Sequence, residues 1–274
     1  MKINPSKTIN IQGHRGCRGL LPENTIEAFK KAIELGVHTL ELDVAVSKDN
    51  LVVVSHEPFI SRKTCLDVNG NKIPKEDDKK YNLYNMPFEE IKLFDSGSKK
   101  HKKFPFQEKI KTYKPTLLEV IQTCDALNDN IKYNIEFKAK PEYDNFTPKP
   151  KEFVDLVLNT LSDVSHRTNL QSFDLRILEE INVQSPDIDV AILINKDEDI
   201  TGKLNQLSYK PDIIGPYFKL LSFNNVSKYQ KEGFKVIPWT VNKEKHLKRM
   251  IDFNVDGIIT DYPDRLIDLV NGYS

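Results

Sequence analysis

The sequence has little cysteine or tryptophan and no excess charge of either sign. Its 274 residues include three cysteines and one tryptophan, and 40 Lys plus Arg balance 40 Asp plus Glu. Cys17, Cys65 and Cys124 are far apart and not in a C-x-x-C arrangement, which argues against a disulfide framework and against a zinc site. The balanced charge gives no net field that would favour nucleic acid or an anionic membrane. Any affinity for an anion must come from local clustering.

Long apolar runs are also missing. The first eight residues, MKINPSKT, contain no apolar run, and no other segment approaches the roughly 20 apolar residues needed to span a bilayer. These absences predict a chain without stable membrane association, resident in the cytoplasm unless an export signal has been removed. They indicate nothing about the oligomeric state.

Short apolar or β-branched runs alternate with amphipathic segments, which is typical of βαβ units around a parallel sheet. Eight strands alternating with helices favour an α/β fold, a (β/α)₈ TIM-type barrel, as a single domain over residues 1–274. The eight strands are predicted at Ile9–Gln12, Thr39–Val44, Lys132–Phe137, Asn169–Phe173, Asp189–Leu193, Asp212–Gly215, Val236–Val241 and Gly257–Thr260.

The helix that follows the first strand is the best defined. The segment ENTIEAFKKAIELG places its apolar residues on one side and ends at Gly36. Thr116 and Glu119 predict a capping box before LLEVIQTCDAL. Further helices are predicted at Glu152–Leu161, Asp174–Asn182, Ser222–Glu232, Lys243–Phe253 and Pro263–Val270.

The segment Glu57–Lys114, after the second strand region, breaks this alternation. It is rich in lysine, contains turn signals such as VNGN and has at most a short helix at Pro87–Phe94. Because so long a connection is usually functional and loops after barrel strands line the active face, we expect an insertion that caps the site. Its KKHKK run at Lys99–Lys103 is suited to an anionic substrate, although a solvated surface turn is the favoured interpretation.

Carboxylates interrupt the predicted strands near their C-terminal ends. Glu41 and Asp43 are two residues apart in the second strand, so both point to one face. A third carboxylate, Glu136, lies near the end of NIEFK. Mg²⁺ and Ca²⁺ prefer such oxygen ligands, and no thiolate pattern favours a softer metal. The sequence therefore predicts one divalent cation, Mg²⁺ or Ca²⁺, at these three residues.

A ninth apolar run, Leu51–Val54, follows the second strand too closely for a helix to separate them. If the four residues SKDN form a hairpin loop, Val46 lies opposite Leu51, and the same register places His56 opposite Glu41. Leu51–His56 is then the return arm of a hairpin rather than a barrel strand. This register would put the imidazole on the carboxylate face.

Two histidines and two basic side chains accompany the carboxylates. His14 and Arg15 end the first strand in HRG, and Lys138 shares a strand face with Glu136. Arg15 and Lys138 are suited to phosphate oxygens. His14 and His56 supply the two neutral-range bases that cleavage of a phosphodiester needs, one for the attacking oxygen and one for the leaving alcohol.

Each residue has a structural explanation when taken alone. A histidine at a strand end is more often structural than catalytic, the paired carboxylates could face solvent on an edge hairpin, and Glu136 with Lys138 could be an ordinary ion pair. Together they favour an active site, because barrel enzymes carry their chemistry at the C-terminal ends of the strands.

The stretch GHRGCRGLLPENTIEAFKKAIELGVHTLELDVAVSKDNLVVVSHEP resembles the signature of the glycerophosphodiester phosphodiesterase family almost end to end. Similar features recur at YKPTLLEVI, NIEFKAK, QSFD, PWTVN and DGIITDYPDRL, so the resemblance extends over essentially the whole chain. It implies the barrel of the phosphatidylinositol-specific phospholipases and hydrolysis of a small glycerophosphodiester to sn-glycerol 3-phosphate and an alcohol. By position it implies that His14 and His56 are the general acid/base pair. It likewise implies that Glu41, Asp43 and Glu136 bind a divalent cation and that Arg15 and Lys138 contact the phosphate.

The resemblance also leaves alternatives. Glu57 stands where family members often have Asp, and Trp239 in PWTVN is expected to wall the glycerol backbone or leaving group unless it only packs in the core. A lysophospholipase D-type reaction on lysophospholipids would need a wide apolar mouth, and no amphipathic membrane helix in the insertion supports it. A non-catalytic glycerophospho-binding barrel is disfavoured because both histidines and all three predicted metal ligands are present.

Overall fold

Eight parallel strands alternate with helices around a barrel, which confirms the predicted fold class. The computed structural model describes residues 8–272. The segment MKINPSKT, from which no export signal was predicted, lies outside that range except for Thr8. The strands, with one antiparallel addition, are Asn10–His14 (β1), Thr39–Val46 (β2), Val52–Val54 (β3), Lys132–Phe137 (β4), Thr168–Ser172 (β5), Asp189–Ile194 (β6), Ile213–Pro216 (β7), Lys235–Val236 (β8) and Gly257–Thr260 (β9).

The strand order is β8-β7-β6-β5-β4-β2-β1-β9, so β1 lies between the second and the last strands of the chain. Backbone hydrogen bonds from Ile259 to the Pro238 carbonyl (3.0 Å) and from Val241 to the Ile259 carbonyl (3.0 Å) join the two ends of this order. The sheet is thereby nearly closed. Its parallel strands are buried on both faces, which explains their continuous apolar runs.

Nine α-helices follow within the described residues: Ile26–Leu35 (α1), Phe88–Ile91 (α2), Leu117–Asp125 (α3), Pro150–Thr160 (α4), Leu175–Gln184 (α5), Ile200–Leu204 (α6), Phe223–Lys231 (α7), Glu244–Asp252 (α8) and Pro263–Gly272 (α9). Gly36 ends α1 in the left-handed conformation (φ 93°), and Thr116 with Glu119 forms the capping box of α3, both as predicted. The short α6 was not predicted. Across residues 8–272 no helix combines the length and apolarity needed to span a bilayer.

The hairpin after β2 is antiparallel as predicted, but its register is displaced by one residue. Val46 pairs with Val52 instead of Leu51, and the loop therefore has one residue more than SKDN. Asn50 in the left-handed conformation (φ 60°) and a turn bond from Asn50 to the Ser47 carbonyl (3.0 Å) accommodate the additional residue. The predicted pairing of His56 with Glu41 is wrong, since the observed register would place His56 opposite Leu42 if it continued.

The late strand predicted at Val236–Val241 is shorter in the structure than predicted. The regular strand β8 ends at Val236, because Pro238 has no amide hydrogen to donate to a ladder. Trp239 still forms an isolated parallel bridge with Tyr217, so the segment follows the barrel wall without being a full strand.

Residues 57–114 contain little regular structure within the described chain. A 3₁₀ turn at Leu83–Asn85 and the single turn of α2, shorter than the predicted Pro87–Phe94 helix, are its helical elements. The segment packs a small apolar cluster against the face of the β2–β3 hairpin that β2 shares with Glu41 and Asp43, formed by Ala45, Val53, Ile60, Cys65, Ile73, Leu83, Phe88, Ile91 and Phe94. This cluster anchors one side of the segment to the barrel.

Candidate active site

The register of neighbouring strands brings the predicted residues together. His14 on β1 pairs with Glu41 on β2, and Asp43 on β2 pairs with Glu136 on β4. Glu136 pairs in turn with Gln171 on β5. Since directly paired residues of adjacent strands project to the same face, this register gathers their side chains at the C-terminal mouth of the barrel.

Three buried carboxylates form the centre of this mouth. Glu41, Asp43 and Glu136 each offer a carboxylate oxygen, and these oxygens all lie within 4.8 Å of one another. Oδ1 of Asp43 is buried and accepts no hydrogen bond. An all-oxygen group with an unused buried acceptor fits a hard divalent cation. The three residues can therefore hold a metal ion, as the sequence predicted.

Two basic side chains partly neutralise the carboxylates. Nε of Arg15 lies 3.0 Å from Oδ2 of Asp43, and its Nη1 lies 2.8 Å from Oε1 of Glu23. Nζ of Lys138 donates to Oε1 of Glu136 (2.6 Å) and lies 3.6 Å from Oδ1 of Asp43. Both basic groups thus border the carboxylate cluster and face the same cavity.

The pKa values show that Arg15 and Lys138 do not fully neutralise the three carboxylates. Burial, followed by repulsion from Asp43 and Glu136, raises the pKa of Glu41 well above its usual range. Burial also raises the pKa of Glu136 to about 7. Burial acts in the same direction on Asp43, but Arg15 offsets it and holds the pKa of that carboxyl below its ordinary value. The cluster is therefore short of positive charge, which a bound cation would supply.

The chain turns sharply after β1 to build this corner. Arg15 and Gly16 both have positive φ (52° and 86°), and a Cβ on Gly16 would lie 2.7 Å from the backbone of Ala28 in α1. Glycine is needed there because of both the conformation and the close approach. The turn points the Arg15 amide at Oε2 of Glu41 (2.9 Å), which fixes one carboxylate.

His14 is held by a carboxylate from the other end of the chain. Its Nδ1 lies 2.6 Å from Oδ1 of Asp261, just beyond β9, and its Nε2 lies 3.9 Å from Oε2 of Glu41. Arg18 and Asn242 also donate to Asp261, at 2.8 and 2.6 Å. A proton on Nδ1 satisfies the bond to Asp261 and leaves Nε2 as the free nitrogen at the mouth.

His56, which lines the same cavity, has an equivalent arrangement. Its Nδ1 lies 3.1 Å from Oε1 of Glu57, whose second oxygen accepts a 3.0 Å hydrogen bond from the Tyr143 hydroxyl. The side chain reaches the cavity because the chain bends after Ser55, where the Ser55 hydroxyl donates to the Glu57 carbonyl (2.6 Å). The bend, rather than strand parity, thus brings His56 to the site.

Both imidazoles are neutral near pH 7 in the metal-free protein. Burial lowers the pKa of His14 to about 4, with Arg18 adding to the effect. Burial, followed by the Arg15 charge, lowers the pKa of His56 to about 4. Each neutral imidazole has a carboxylate on Nδ1, so its Nε2 can accept a proton and pass it on.

The site opens into a cavity of about 1070 Å³. One wall is apolar and includes Phe173, Leu193, Trp239 and Ile259. Trp239 is half-buried, donates its indole hydrogen to the Gly215 carbonyl (2.8 Å) and contacts Phe173 edge to face at 5.4 Å. It is thus both packed and exposed to the cavity. Residues of the 57–114 segment form another part of the lining.

Sequence reasoning missed several polar partners of the site. Asp261, Gln171, which donates to Glu41 (3.0 Å), and Asn24, which donates to Asp43 (2.8 Å), had no predicted role. Each lies in a motif already noted, namely DGIITDYPDRL, QSFD and PENT. The available signal for Asp261 and Gln171 was their position just after or near the end of a strand, and Asn24 lies in the loop between β1 and α1 on the same side of the barrel, where active sites lie.

The arrangement suits hydrolysis of phosphoric diesters, because it gathers three carboxylates that could hold a cation, two imidazoles and two basic side chains at one barrel mouth. The model of the glycerophosphoryl diester phosphodiesterase family matches residues 14–265. The chain belongs to that family and is an enzyme, a phosphoric diester hydrolase.

Individual proteins show the same relationship. A glycerophosphodiester phosphodiesterase of Caldanaerobacter subterraneus is 33% identical over 96% of this chain and 98% of its own length. Lysophospholipase D GDPD1 of Mus musculus is 27% identical over 95% of this chain and 86% of its own. A phosphodiesterase of Oleispira antarctica, solved with its product sn-glycerol-3-phosphate, has the same fold, with a TM-score of 0.75 at 22% identity and coverage of 96% of both chains.

Proposed function

We propose that the chain hydrolyses small glycerophosphodiesters to sn-glycerol 3-phosphate and an alcohol, with His14 and His56 as the proton-transfer pair. The observation that carries this proposal is that both imidazoles line one cavity with each Nδ1 bound to a carboxylate. This leaves the Nε2 atom of each ring free of a carboxylate hydrogen bond, and that of His14 lies 3.9 Å from Glu41. One imidazole takes the proton of the attacking oxygen, and the other protonates the leaving alcohol as the P–O bond breaks.

The metal and phosphate roles follow from the same geometry. Glu41, Asp43 and Glu136 would hold one divalent cation, Mg²⁺ or Ca²⁺. Bound there, the cation would neutralise phosphate oxygens and make the phosphorus more electrophilic. Arg15 and Lys138 donate to the remaining phosphate oxygens. The attacking oxygen comes from water or from a neighbouring hydroxyl of the substrate, the latter giving a cyclic phosphate first.

The 57–114 segment and Trp239 would enclose the substrate. We propose that the segment is an insertion within a single barrel domain and caps the mouth, because many of its side chains line the cavity. Trp239 offers its exposed ring edge to the glycerol backbone or leaving group. Such a cap would exclude water from the phosphate except at the point of attack.

The test replaces His14 or His56 by Ala and measures hydrolysis of glycerophosphocholine and of the p-nitrophenyl ester of glycerol phosphate. We expect each variant to lose roughly 10²–10⁴-fold activity on the choline diester. The variant that lacks the general acid should retain much more activity on the nitrophenyl ester, because that leaving group needs no proton. His166→Ala, an exposed histidine, is the matched control. Near-normal turnover of the choline diester by both active-site variants would refute the assignment.

A second candidate is a lysophospholipase D-type activity, favoured by the mouse relative and by the apolar wall beside Trp239. It predicts that lysophosphatidylcholine is cleaved with a higher kcat/KM than glycerophosphocholine. A preference for the water-soluble diester would reject it.

A further inference from the structure

The cavity is lined by opposite charges in separate places. Its carboxylates are Glu23, Glu41, Glu57 and Glu136. Two belong to the metal cluster, Glu23 is bound to Arg15 and Arg18, and Glu57 is bound to His56 and Tyr143. Glu23 and Glu57 are thus already paired, and Glu41 and Glu136 belong to the group whose negative charge a bound cation would neutralise.

The wall formed by the 57–114 segment carries only positive charge toward the cavity, apart from Glu57. Six of its lysines have no ion pair and no hydrogen bond from the ammonium group to any described residue: Lys63, Lys72, Lys100, Lys102, Lys103 and Lys114. We call this set the lysine wall. Like charges that converge on a low-dielectric cleft raise the local concentration of anions.

Lys114 distinguishes the lysine wall from an ordinary solvated charge run. The residue as a whole is only 9% exposed, yet it lines the cavity. Its ammonium has no partner among the described residues. The stem of Lys114 is buried, but its ammonium is not enclosed by protein atoms, so the charge is available to an incoming counter-charge. The diester phosphate is already served by Arg15, Lys138 and the cation site. The lysine wall is therefore left for a further anionic group.

The Lys99–Lys103 run is held in place beside residues of the candidate active site. Phe104, which follows it, is buried, packs on Tyr262 at 6.1 Å and lies 5.0 Å from the Arg18 guanidinium. Lys99 donates to the carbonyls of Arg62 and Cys65. The run therefore lines the cavity, while its other lysines remain exposed as the solvated-turn interpretation expected.

We infer that the lysine wall is a second anion subsite and that the preferred substrates are glycerophosphodiesters whose leaving alcohol carries a further phosphate. This inference rests on the proposed function, since it assigns the part of the cavity beyond the scissile phosphate. A diester with a cationic alcohol such as choline meets like charge there, and one with a phosphorylated alcohol meets opposite charge.

The test compares the hydrolysis of glycerophosphoglycerol with that of the same diester bearing a phosphomonoester on its terminal hydroxyl. Hydrolysis is measured as the loss of the ³¹P signal of the diester. Both are water-soluble, so a lipid surface plays no part. We expect the phosphorylated diester to have a kcat/KM roughly tenfold higher or more at low ionic strength, with the ratio falling as salt is added. Equal kcat/KM values in the wild-type enzyme would overturn the inference while leaving the proposed function intact.

Variants locate the effect. The triple substitution Lys100→Ala, Lys102→Ala and Lys103→Ala, and separately Lys63→Ala with Lys72→Ala, should bring the ratio toward one. The matched control replaces Lys75, Lys109 and Lys111 by Ala, since these are exposed lysines of the same segment outside the cavity lining. An unchanged ratio in both lysine-wall variants would overturn the inference.

A binding measurement keeps the inference testable if neither diester is hydrolysed, the outcome that would refute the proposed function. Calorimetry should show glycerol 1,3-bisphosphate binding roughly tenfold tighter than glycerol 3-phosphate. The lysine-wall triple variant should lose this difference. Equal affinities for the two phosphates in the wild-type protein would reject the second subsite.

Discussion

The imidazole of His14 and the carboxylate of Asp261 lie 2.6 Å apart across 247 positions of sequence. The first and last strands of the barrel are adjacent, and each ends at one of these residues or just before it. Asp261 is buried. Burial tends to raise its pKa, but His14 and Arg18 offset this and hold the pKa well below its usual range, so the carboxylate stays ionised and orients the ring.

Asp261→Asn should therefore impair catalysis more than binding. The amide can donate to Nδ1 and so favour the wrong tautomer of His14. We expect kcat to fall roughly 10²–10⁴-fold with KM nearly unchanged, by analogy with other histidine–carboxylate pairs. Steady-state kinetics on glycerophosphocholine would check this. Asp252→Asn, at an exposed position of α8, is the control, and a change confined to KM would contradict the prediction.

Divalent cations should stabilise the protein through the three carboxylates. At a concentration 100 times Kd, Mg²⁺ or Ca²⁺ should add about 2.7 kcal/mol to the free energy of unfolding and raise Tm by roughly 5 °C relative to a chelator-treated sample. Glu136→Gln should lose most of this rise. Thermal scans with Glu142→Gln, an exposed carboxylate beyond the same strand, serve as the comparison. An equal rise in both variants would place the cation elsewhere.

The loop at Asn50 should determine the stability of the hairpin. Its φ of 60° is accessible to Asn and Gly, whereas a β-branched residue is strained there. Asn50→Val should lower the free energy of unfolding by about 1–2 kcal/mol, and Asn50→Gly should change it by much less. Urea denaturation measures both. Identical midpoints for Val and Gly would mean that the turn conformation does not matter.

Removing the ring of Trp239 should weaken substrate binding. Its aromatic contacts at the cavity wall are worth about 1 kcal/mol, so Trp239→Leu should raise KM for glycerophosphocholine roughly fivefold while kcat changes little. Trp239→Phe retains a ring and should lie between. Unfolding curves would separate this effect from lost packing against Phe173. An unchanged KM in the Leu variant would leave Trp239 a purely structural role.

The structural features that depend on local periodicity could be predicted from the sequence. The two-residue period of strands placed Glu41 and Asp43 on one face, and the alternation of strands with helices indicated the barrel. The hairpin register was wrong because one left-handed residue, Asn50, adds a position that no hydrophobic pattern records. The predicted roles of the site residues, and of residues 57–114 as a cap, stay predictions.

Contacts that depend on tertiary structure could not be predicted in the same way. No local pattern links Asp261 to His14, because only barrel closure brings them together. The position of the Lys99–Lys103 run at the cavity was likewise unpredictable, since Phe104 holds it there through contacts with Arg18 and Tyr262. A charge run has the same composition whether it faces bulk water or a cleft.

The pairing of β1 with β9 also constrains when the enzyme can become active during synthesis. A nascent chain that has emerged only as far as β8 already contains all three predicted metal ligands and both histidines. Its β1 edge still lacks a neighbour, and His14 lacks the carboxylate that orients it. Activity should therefore appear on the ribosome in one step, after residue 261 has left the exit tunnel, and not gradually as the barrel grows.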